Sequence, residues 1–158
     1  MLQIALLADK PQYAKQVATW YFDHWVSKTD PQGFDRVLSD VSSKTSRLGP
    51  PMTLLALEGD VLVGAAELKF HEMSVYPNYE HWLGGVYVAP AYRNQGVANA
   101  LVTAALNNAR DAGIQKLYLQ TQQLDGGLYA RMGFKPLEQI VYHDQQTLVM
   151  VFETIGWR

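Results

Sequence analysis

The sequence predicts a mixed α/β fold, with a mostly antiparallel sheet of about seven strands and helices on both of its faces. Three observations predict it. Residues 52–70 and residues 134–153 each contain two apolar runs separated by a turn, which is typical of a hairpin. Between them, residues 82–112 form a strand, a loop and a helix. Because hairpin strands pair antiparallel and a strand–helix–strand unit pairs parallel, the sheet must contain both kinds of pairing.

The first part of the chain predicts one strand and two helices. Residues 2–7 are an apolar run that ends in a turn at residues 9–11. Asp30 and Pro31 suit the N-cap and first turn of a second helix, and residues 42–51 form a loop with Gly49 and two prolines. The first helix has one amphipathic face at helical spacing, which ends at His24. We assign four of its side chains to core packing: Tyr13, Val17, Trp20 and Tyr21.

The remaining elements follow from strand alternation and from turn residues. Strands are expected at 52–57, 61–70, 82–89, 116–121, 134–143 and 147–153, and helices at 96–112 and 124–132. Gly113 and Gly133 stand where glycines end helices. The predicted order is β-α-α-β-β-β-α-β-α-β-β. No glycine fingerprint follows the first strand, so the chain does not resemble a doubly wound nucleotide fold.

Composition narrows the classes of function. A chain of 158 residues fits one domain, residues 1–158, and a net charge of -2 argues against a nucleic-acid partner. The absence of cysteine excludes disulfides and thiolate chemistry, and four scattered histidines predict no metal site. Without a secretory segment or a membrane-spanning apolar run, we expect a cytoplasmic protein with no membrane partner.

A turn between a strand and a helix, residues 93–99, has the properties of a phosphate site. Free amides at the start of a helix point outward, and the helix dipole favours an anion there. Gly96 lets a phosphate approach the backbone where a Cβ would collide, and Ala98 is the next small residue. Arg93 can add charge-assisted hydrogen bonds. The 93–99 turn is therefore predicted to bind a pyrophosphate.

Arg93, Gly96 and Ala98 match the coenzyme-A-binding motif of the GNAT superfamily of N-acetyltransferases, [Gln/Arg]-x-x-Gly-x-[Gly/Ala], which the chain therefore resembles. Tyr129, followed by Gly133 and Phe134, is similar to a second family motif. The resemblance implies a GNAT-like acyl-CoA N-acyltransferase fold over nearly the whole chain. It also implies an N-acetyltransferase that uses acetyl-CoA as co-substrate and passes the acetyl group directly to a primary amine in a ternary complex.

The resemblance implies roles for particular residues. The backbone of Val86, Tyr87 and Val88 would pair with the pantetheine arm, and the Val88 N–H would polarise the thioester carbonyl. Tyr129 would donate a proton to the leaving thiolate. Gln122 stands where many relatives have an asparagine that contacts the cofactor arm. The phosphates would bind mostly to backbone groups of the 93–99 turn: Arg93, Asn94, Gln95, Gly96, Val97, Ala98 and Asn99.

The general base and the acceptor are less constrained. A primary amine must lose a proton before it attacks, and Glu67 is the first candidate to take it, with His81 and Glu72 as alternatives. The acceptor is expected to be an amine of a small molecule or peptide. Aromatic and acidic residues in the first two helices and in residues 71–81 favour a cationic one: Trp20, Trp25, Phe34, Tyr76, Tyr79, Asp23, Asp30, Glu72 and Glu80.

Two other interpretations stay open at this point. The chain could be a catalytically inactive GNAT-like module that binds coenzyme A as a ligand or sensor. It could also be an unrelated nucleotide-phosphate-binding protein, although GxxxxGK[ST] and GxGxxG are both absent from the sequence. A homodimer is compatible with the sequence.

Overall fold

The computed structural model describes residues 1–155 and contains one seven-stranded sheet in the order β1-β2-β3-β4-β5-β7-β6. The predicted mixed sheet is confirmed, and the elements follow the predicted order along the chain. All neighbouring strands pair antiparallel except β4 and β5, which are parallel. The strands are β1 (Leu2–Leu6), β2 (Met52–Glu58), β3 (Val61–Phe70), β4 (His81–Val88), β5 (Lys116–Thr121), β6 (Lys135–Tyr142) and β7 (Gln145–Glu153).

Four α-helices connect the strands: α1 (Ala14–Tyr21), α2 (Phe34–Ser43), α3 (Val97–Asp111) and α4 (Gly127–Arg131). A π-helical turn, Phe22–Val26, continues α1. The prediction that Asp30 caps the second helix is wrong. Asp30 instead begins a turn, in which the Gly33 amide donates to its carbonyl at 3.0 Å, and its carboxylate accepts from Arg36 at 3.1 Å. The fourth helix is shorter than predicted because the Gly126 amide closes a turn with the Gln123 carbonyl at 2.9 Å.

The helices cover both faces of the sheet, as predicted. On one face, Leu101 and Leu106 of α3 pack against Leu54 of β2. On the other, α1 and α2 pack against the alternate residues of the same strands, such as Leu55. Successive side chains of a strand point to opposite faces of the sheet, and helices cover both faces of β2. This interior strand is therefore apolar at nearly every position. The sheet is thus packed between two layers of helices.

Two features open the sheet in its middle. β4 and β5 are aligned only at Trp82 and Tyr118, so most of β4 has no partner on that side. The register between β3 and β4 also shifts between Ala65 and Glu67, which forms a β-bulge in β4 at Gly85 and Val86. The opening between β4 and β5 therefore lies at the centre of the seven-stranded sheet.

Residues 156–158 lie outside the described part of the chain, so the single domain over 1–158 stays a prediction. Within residues 1–155, we find no helix whose length and apolar character would suffice to cross a membrane. The cytoplasmic location also stays a prediction.

Candidate active site

The split between β4 and β5 forms a central groove of about 1040 Å³. One wall comes from β4 and another from β5 and the residues that follow it, while α1, α2 and the tip of the β6–β7 hairpin close the ends. The groove brings together side chains that are far apart in the sequence: Tyr21, Trp25, Asp40, Glu67, Lys69, Glu72, Val86, Gln120, Gln122 and Tyr129. Of the predicted site residues, Glu67, Val86, Gln122 and Tyr129 therefore share one space.

The bulge in β4 requires glycine. Gly85 has a φ of +58°, and a Cβ there would lie 2.7 Å from the Tyr21 hydroxyl oxygen and 3.2 Å from Glu67 Oε1. The Tyr21 hydroxyl donates a hydrogen bond of 2.6 Å to the Gly85 carbonyl. Burial, and next the charge of Glu67, raises the pKa of Tyr21 well above its usual value, so the hydroxyl keeps its proton. Tyr21 thus fixes the bulge beside Glu67.

The sequence predicted only core packing for Tyr21 and gave no sign of its hydrogen bond to Gly85. Tyr21 does belong to the core under α1, but its hydroxyl reaches the groove. A signal was present in the sequence: two consecutive glycines, Gly84 and Gly85, inside a strand pattern indicate a bulge or a close approach of another group. The pair could have predicted the bulge, although not its partner.

Glu67 is a buried carboxylate at the inner end of the groove. Its residue is 3% exposed, and within residues 1–155 its Oε2 atom has no hydrogen-bond donor. The Lys44 ammonium lies 3.6 Å from Oε2, and the Lys69 ammonium lies 4.0 Å from Oε1. Burial raises the pKa of Glu67, while Lys44 and then Lys69 oppose the rise. A carboxylate with a free oxygen and a raised pKa is suited to accept a proton.

The two alternative bases are placed differently. Glu72 lines the groove, but it accepts from Lys69 Nζ at 2.7 Å and from Gln120 Nε2 at 3.2 Å. His81 is not among the residues that line the groove. Its ring lies 5.6 Å from that of Phe70, and its Nε2 lies 3.6 Å from Glu80. The geometry favours Glu67 over Glu72 and separates His81 from both.

Tyr129 lies in α4 and faces the groove. Its ring packs edge-on against that of Phe134, with centroids 6.0 Å apart, which holds the phenol in place. Burial, and next the charge of Glu72, raises the pKa of Tyr129 to about 12. The phenol is therefore protonated at neutral pH and can act as a proton donor.

The 93–99 turn lies outside the lining of the groove, at the start of α3. Gly96 has a φ of +84°, and no protein atom lies within 4 Å of the position of its missing Cβ. The first-turn amides of α3 have no acceptor within the helix. Open space and free amides are the two properties that a bound phosphate needs.

The side chains near the turn connect it to the end of β4. Arg93, expected to reach phosphate oxygens, donates through Nε to the Val88 carbonyl at 2.9 Å, and its guanidinium lies 5.5 Å from the centre of the Tyr87 ring. The Tyr87 ring faces α1 and lies 5.0 Å from that of Trp20. Val86 and Val88 point to the opposite face, toward α3. Arg93 therefore joins the end of β4 to the turn.

The residues predicted for a cationic acceptor are only partly gathered at the groove. Trp25, 50% exposed, and Glu72 line it. Tyr76 stacks on Tyr79, which stacks in turn on Tyr118, and neither Tyr76 nor Tyr79 lines the groove. The predicted carboxylates are largely paired: Asp30 with Arg36, Glu72 with Lys69, and Glu80 with His81. Among residues 1–155, no three His, Asp or Glu side chains are grouped so that they could hold a metal ion.

The sequence model of the Acetyltransferase (GNAT) family matches residues 14–134. A search of curated protein sequences gave no match.

Solved structures resemble the whole chain. An N-acetyltransferase from Staphylococcus aureus Mu50 has a TM-score of 0.76 at 16% identity, covering 98% of this chain and 99% of that one. Aminoglycoside 6'-acetyltransferase type Ii has a TM-score of 0.73 at 18% identity, covering 99% of both chains. YncA from Salmonella typhimurium, solved with its cofactor acetyl-CoA, has a TM-score of 0.72 at 18% identity, covering 98% of this chain and 94% of that one. At such identities the likeness establishes the fold.

Proposed function

The chain belongs to the GNAT acetyltransferase family, and on that premise we propose that it transfers the acetyl group of acetyl-CoA directly to a primary amine in a ternary complex. The observation that supports this most is the central groove, which joins a buried carboxylate, Glu67, and a protonated phenol, Tyr129, beside the unpaired edge of β4. The chain contains no cysteine to serve as a thiol carrier of the acetyl group, which favours direct transfer over a thioester relay.

The described residues fit coenzyme A. Gly96 leaves open space in front of the first amides of α3, where a pyrophosphate would bind, and Asn94, Gln95, Val97, Ala98 and Asn99 supply the rest of the 93–99 turn. The edge of β4 at Val86, Tyr87 and Val88 is free of β5 and offers backbone groups to an extended arm. When bound, acetyl-CoA supplies an activated acetyl thioester. Gln122 lies in the groove, where it can contact the same arm.

Two proton transfers are assigned to this chain's own side chains. A primary ammonium has a pKa of about 10.4, so it must lose a proton before the nitrogen can attack. Glu67 Oε2 takes that proton and later releases it to solvent. Tyr129 Oη donates its proton to the leaving thiolate, and the second proton lost by the nitrogen restores the phenol. The nitrogen thus loses two protons, of which one reaches solvent and the other replaces the proton given to the thiol.

The acceptor that we propose is the amine of a small molecule, with a peptide amine as the alternative. Two of the similar structures are aminoglycoside acetyltransferases, which supports a small-molecule amine. The ion pairs of Asp30 and Glu72 leave those two carboxylates less available to a cationic acceptor. The half-exposed Trp25 offers an apolar surface at the groove instead. The absence of nucleic-acid and membrane partners stays a prediction.

A thiol-release assay tests the proposal. The protein with acetyl-CoA should release free thiol in the presence of at least one acceptor from a panel of polyamines, aminoglycosides, amino acids and lysine peptides. Mass spectrometry should find the product 42 Da heavier than the acceptor, which is roughly the mass of an added acetyl group less one hydrogen. Calorimetric binding of coenzyme A without thiol release from any acceptor would instead identify a binding module.

A further inference from the structure

Glu67 belongs to a partly buried cluster of five charged side chains that the proposed reaction does not explain. We call Asp40, Lys44, Glu67, Lys69 and Glu72 the charged cluster. Lys44 is 6% exposed, which is unusual for a lysine. It follows the last residue of α2, and its ammonium contacts Asp40 on one side and Glu67 on the other. Burying an ammonium costs much free energy unless the charge is paired and hydrogen-bonded, as Lys44 is with Asp40.

The Lys44 ammonium lies beside the Glu67 oxygen that accepts no hydrogen bond. Its nitrogen lies 3.6 Å from Oε2, the atom without a hydrogen-bond donor, which is close enough for strong attraction in a buried place but leaves the lone pairs available. Lys69 interacts more weakly with Glu67, because its ammonium lies 4.0 Å from Oε1 and donates a hydrogen bond to Glu72 at 2.7 Å. Lys44 is therefore the main positive charge at the oxygen that would accept a proton.

We propose that Lys44 is a positioning residue for acetyl transfer, whose buried ammonium keeps the Glu67 carboxylate charged beside the β4 bulge so that it can take the acceptor's proton. This rests on the proposed function, since it assumes that Glu67 is the base. Lys44 itself neither gives nor takes a proton in the reaction. Its charge opposes the effect of burial, which favours the protonated carboxyl that cannot accept a proton.

The other charged groups around Glu67 act in both directions. Lys69 also favours the charged carboxylate, whereas Asp40 and Glu72 favour the protonated form. The Tyr21 phenol is neutral and contributes no charge. Removing Lys44 should therefore raise the pKa of Glu67, and removing the charge of Asp40 should lower it. These opposite signs separate an electrostatic role of Lys44 from a merely structural one.

The experiment follows the Glu67 carboxyl directly by NMR titration of protein labelled with ¹³C-glutamate, together with the pH profile of kcat/KM. In Lys44→Met, the Glu67 midpoint should rise by about one unit or more, which lowers kcat/KM about tenfold at pH values below the midpoint and leaves the high-pH plateau in place. Lys44→Arg should restore the profile. Lys116 is an exposed lysine at the first position of β5, and Lys116→Met should leave the pH profile unchanged.

If Lys44→Met does not fold, Asp40→Asn provides the test. Asp40 is largely exposed, so the variant should fold, and the loss of its negative charge should lower the titration midpoint of Glu67. An unchanged Glu67 midpoint in Lys44→Met, or in Asp40→Asn where the former does not fold, would overturn the proposal. A midpoint that moves while the pH profile does not would overturn the role in transfer and show that Glu67 is not the base, with acetyl transfer itself unaffected. A protein that acetylates no amine would refute the proposed function and this role together, although the titration would still report the ion pair.

Discussion

The 93–99 turn and the charged cluster are built in opposite ways. The turn is seven consecutive residues whose proposed phosphate-binding groups are backbone amides, and most of its side chains are exposed. The cluster joins side chains from α2, from β3 and from the residues that follow each of them, and three of its members, Lys44, Glu67 and Glu72, are mostly buried. The proposed phosphate binding at the turn would depend on space and backbone shape, whereas the proposed proton transfer at the cluster would depend on the balance of a few charges. The two regions should therefore fail in different ways when single residues are changed.

The largest effect is expected from Gly96→Val. A Cβ would fill the space that a phosphate needs, so calorimetry should detect no binding of coenzyme A. Valine at a positive φ also costs roughly 1–2 kcal/mol. Gly59→Val is the matched control, because Gly59 has a φ of +60° and open space around it in the β2–β3 turn. Equal affinity for coenzyme A in Gly96→Val and wild type would exclude the turn as the phosphate site.

Glu67→Gln should be the most damaging change in the charged cluster. Glutamine has the same shape but cannot take a proton, so kcat/KM should fall by about 10²-fold or more while coenzyme A affinity is retained. Glu72→Gln is the comparison, and its effect should be smaller because Glu72 already accepts from Lys69 and Gln120. A larger loss in Glu72→Gln would transfer the role of base to Glu72.

Tyr129→Phe should lower kcat by about 10²-fold without changing the affinity for coenzyme A. The pH dependence sharpens this prediction. Because the pKa of Tyr129 is raised to about 12, the phenol loses its proton only near that pH, and it should cause no fall in kcat at the alkaline end of an ordinary assay. If kcat is the same in both proteins across the whole pH series, the thiolate leaves without help from Tyr129.

The smallest effect is expected from Tyr21→Phe, which removes the hydrogen bond to the Gly85 carbonyl. The loss should destabilise the fold by about 1 kcal/mol, or roughly 2–4 °C in Tm, measured by thermal and urea unfolding. Tyr13→Phe is the control, since that hydroxyl donates to the Asp60 carbonyl at the surface. KM for the acceptor should rise in Tyr21→Phe alone, because only Tyr21 holds the bulge. A variant with unchanged stability and unchanged KM would mean that the bulge holds its shape without Tyr21.

The sequence by itself determined the order of the elements, the mixed sheet and the 93–99 turn. Each of these depends on interactions between residues close together in the chain: strand alternation, turn glycines, and a glycine at a helix start. Even there, element ends shifted where a local turn competed with the helix, as at Asp30. The resemblance of Arg93, Gly96, Ala98 and Tyr129 to family motifs added the roles that geometry alone could not assign.

The tertiary structure decided what those elements bring together. Glu67 could be named from the sequence, but its free oxygen, its burial and its contact with Lys44 depend on α2 packing against the β3 face of the sheet. Tyr21 looked like a core residue because its position in α1 repeats with the apolar face, and only the packed sheet places Gly85 under its hydroxyl. Burial and distance set the charge of a side chain, and neither is a property of neighbouring residues in the sequence.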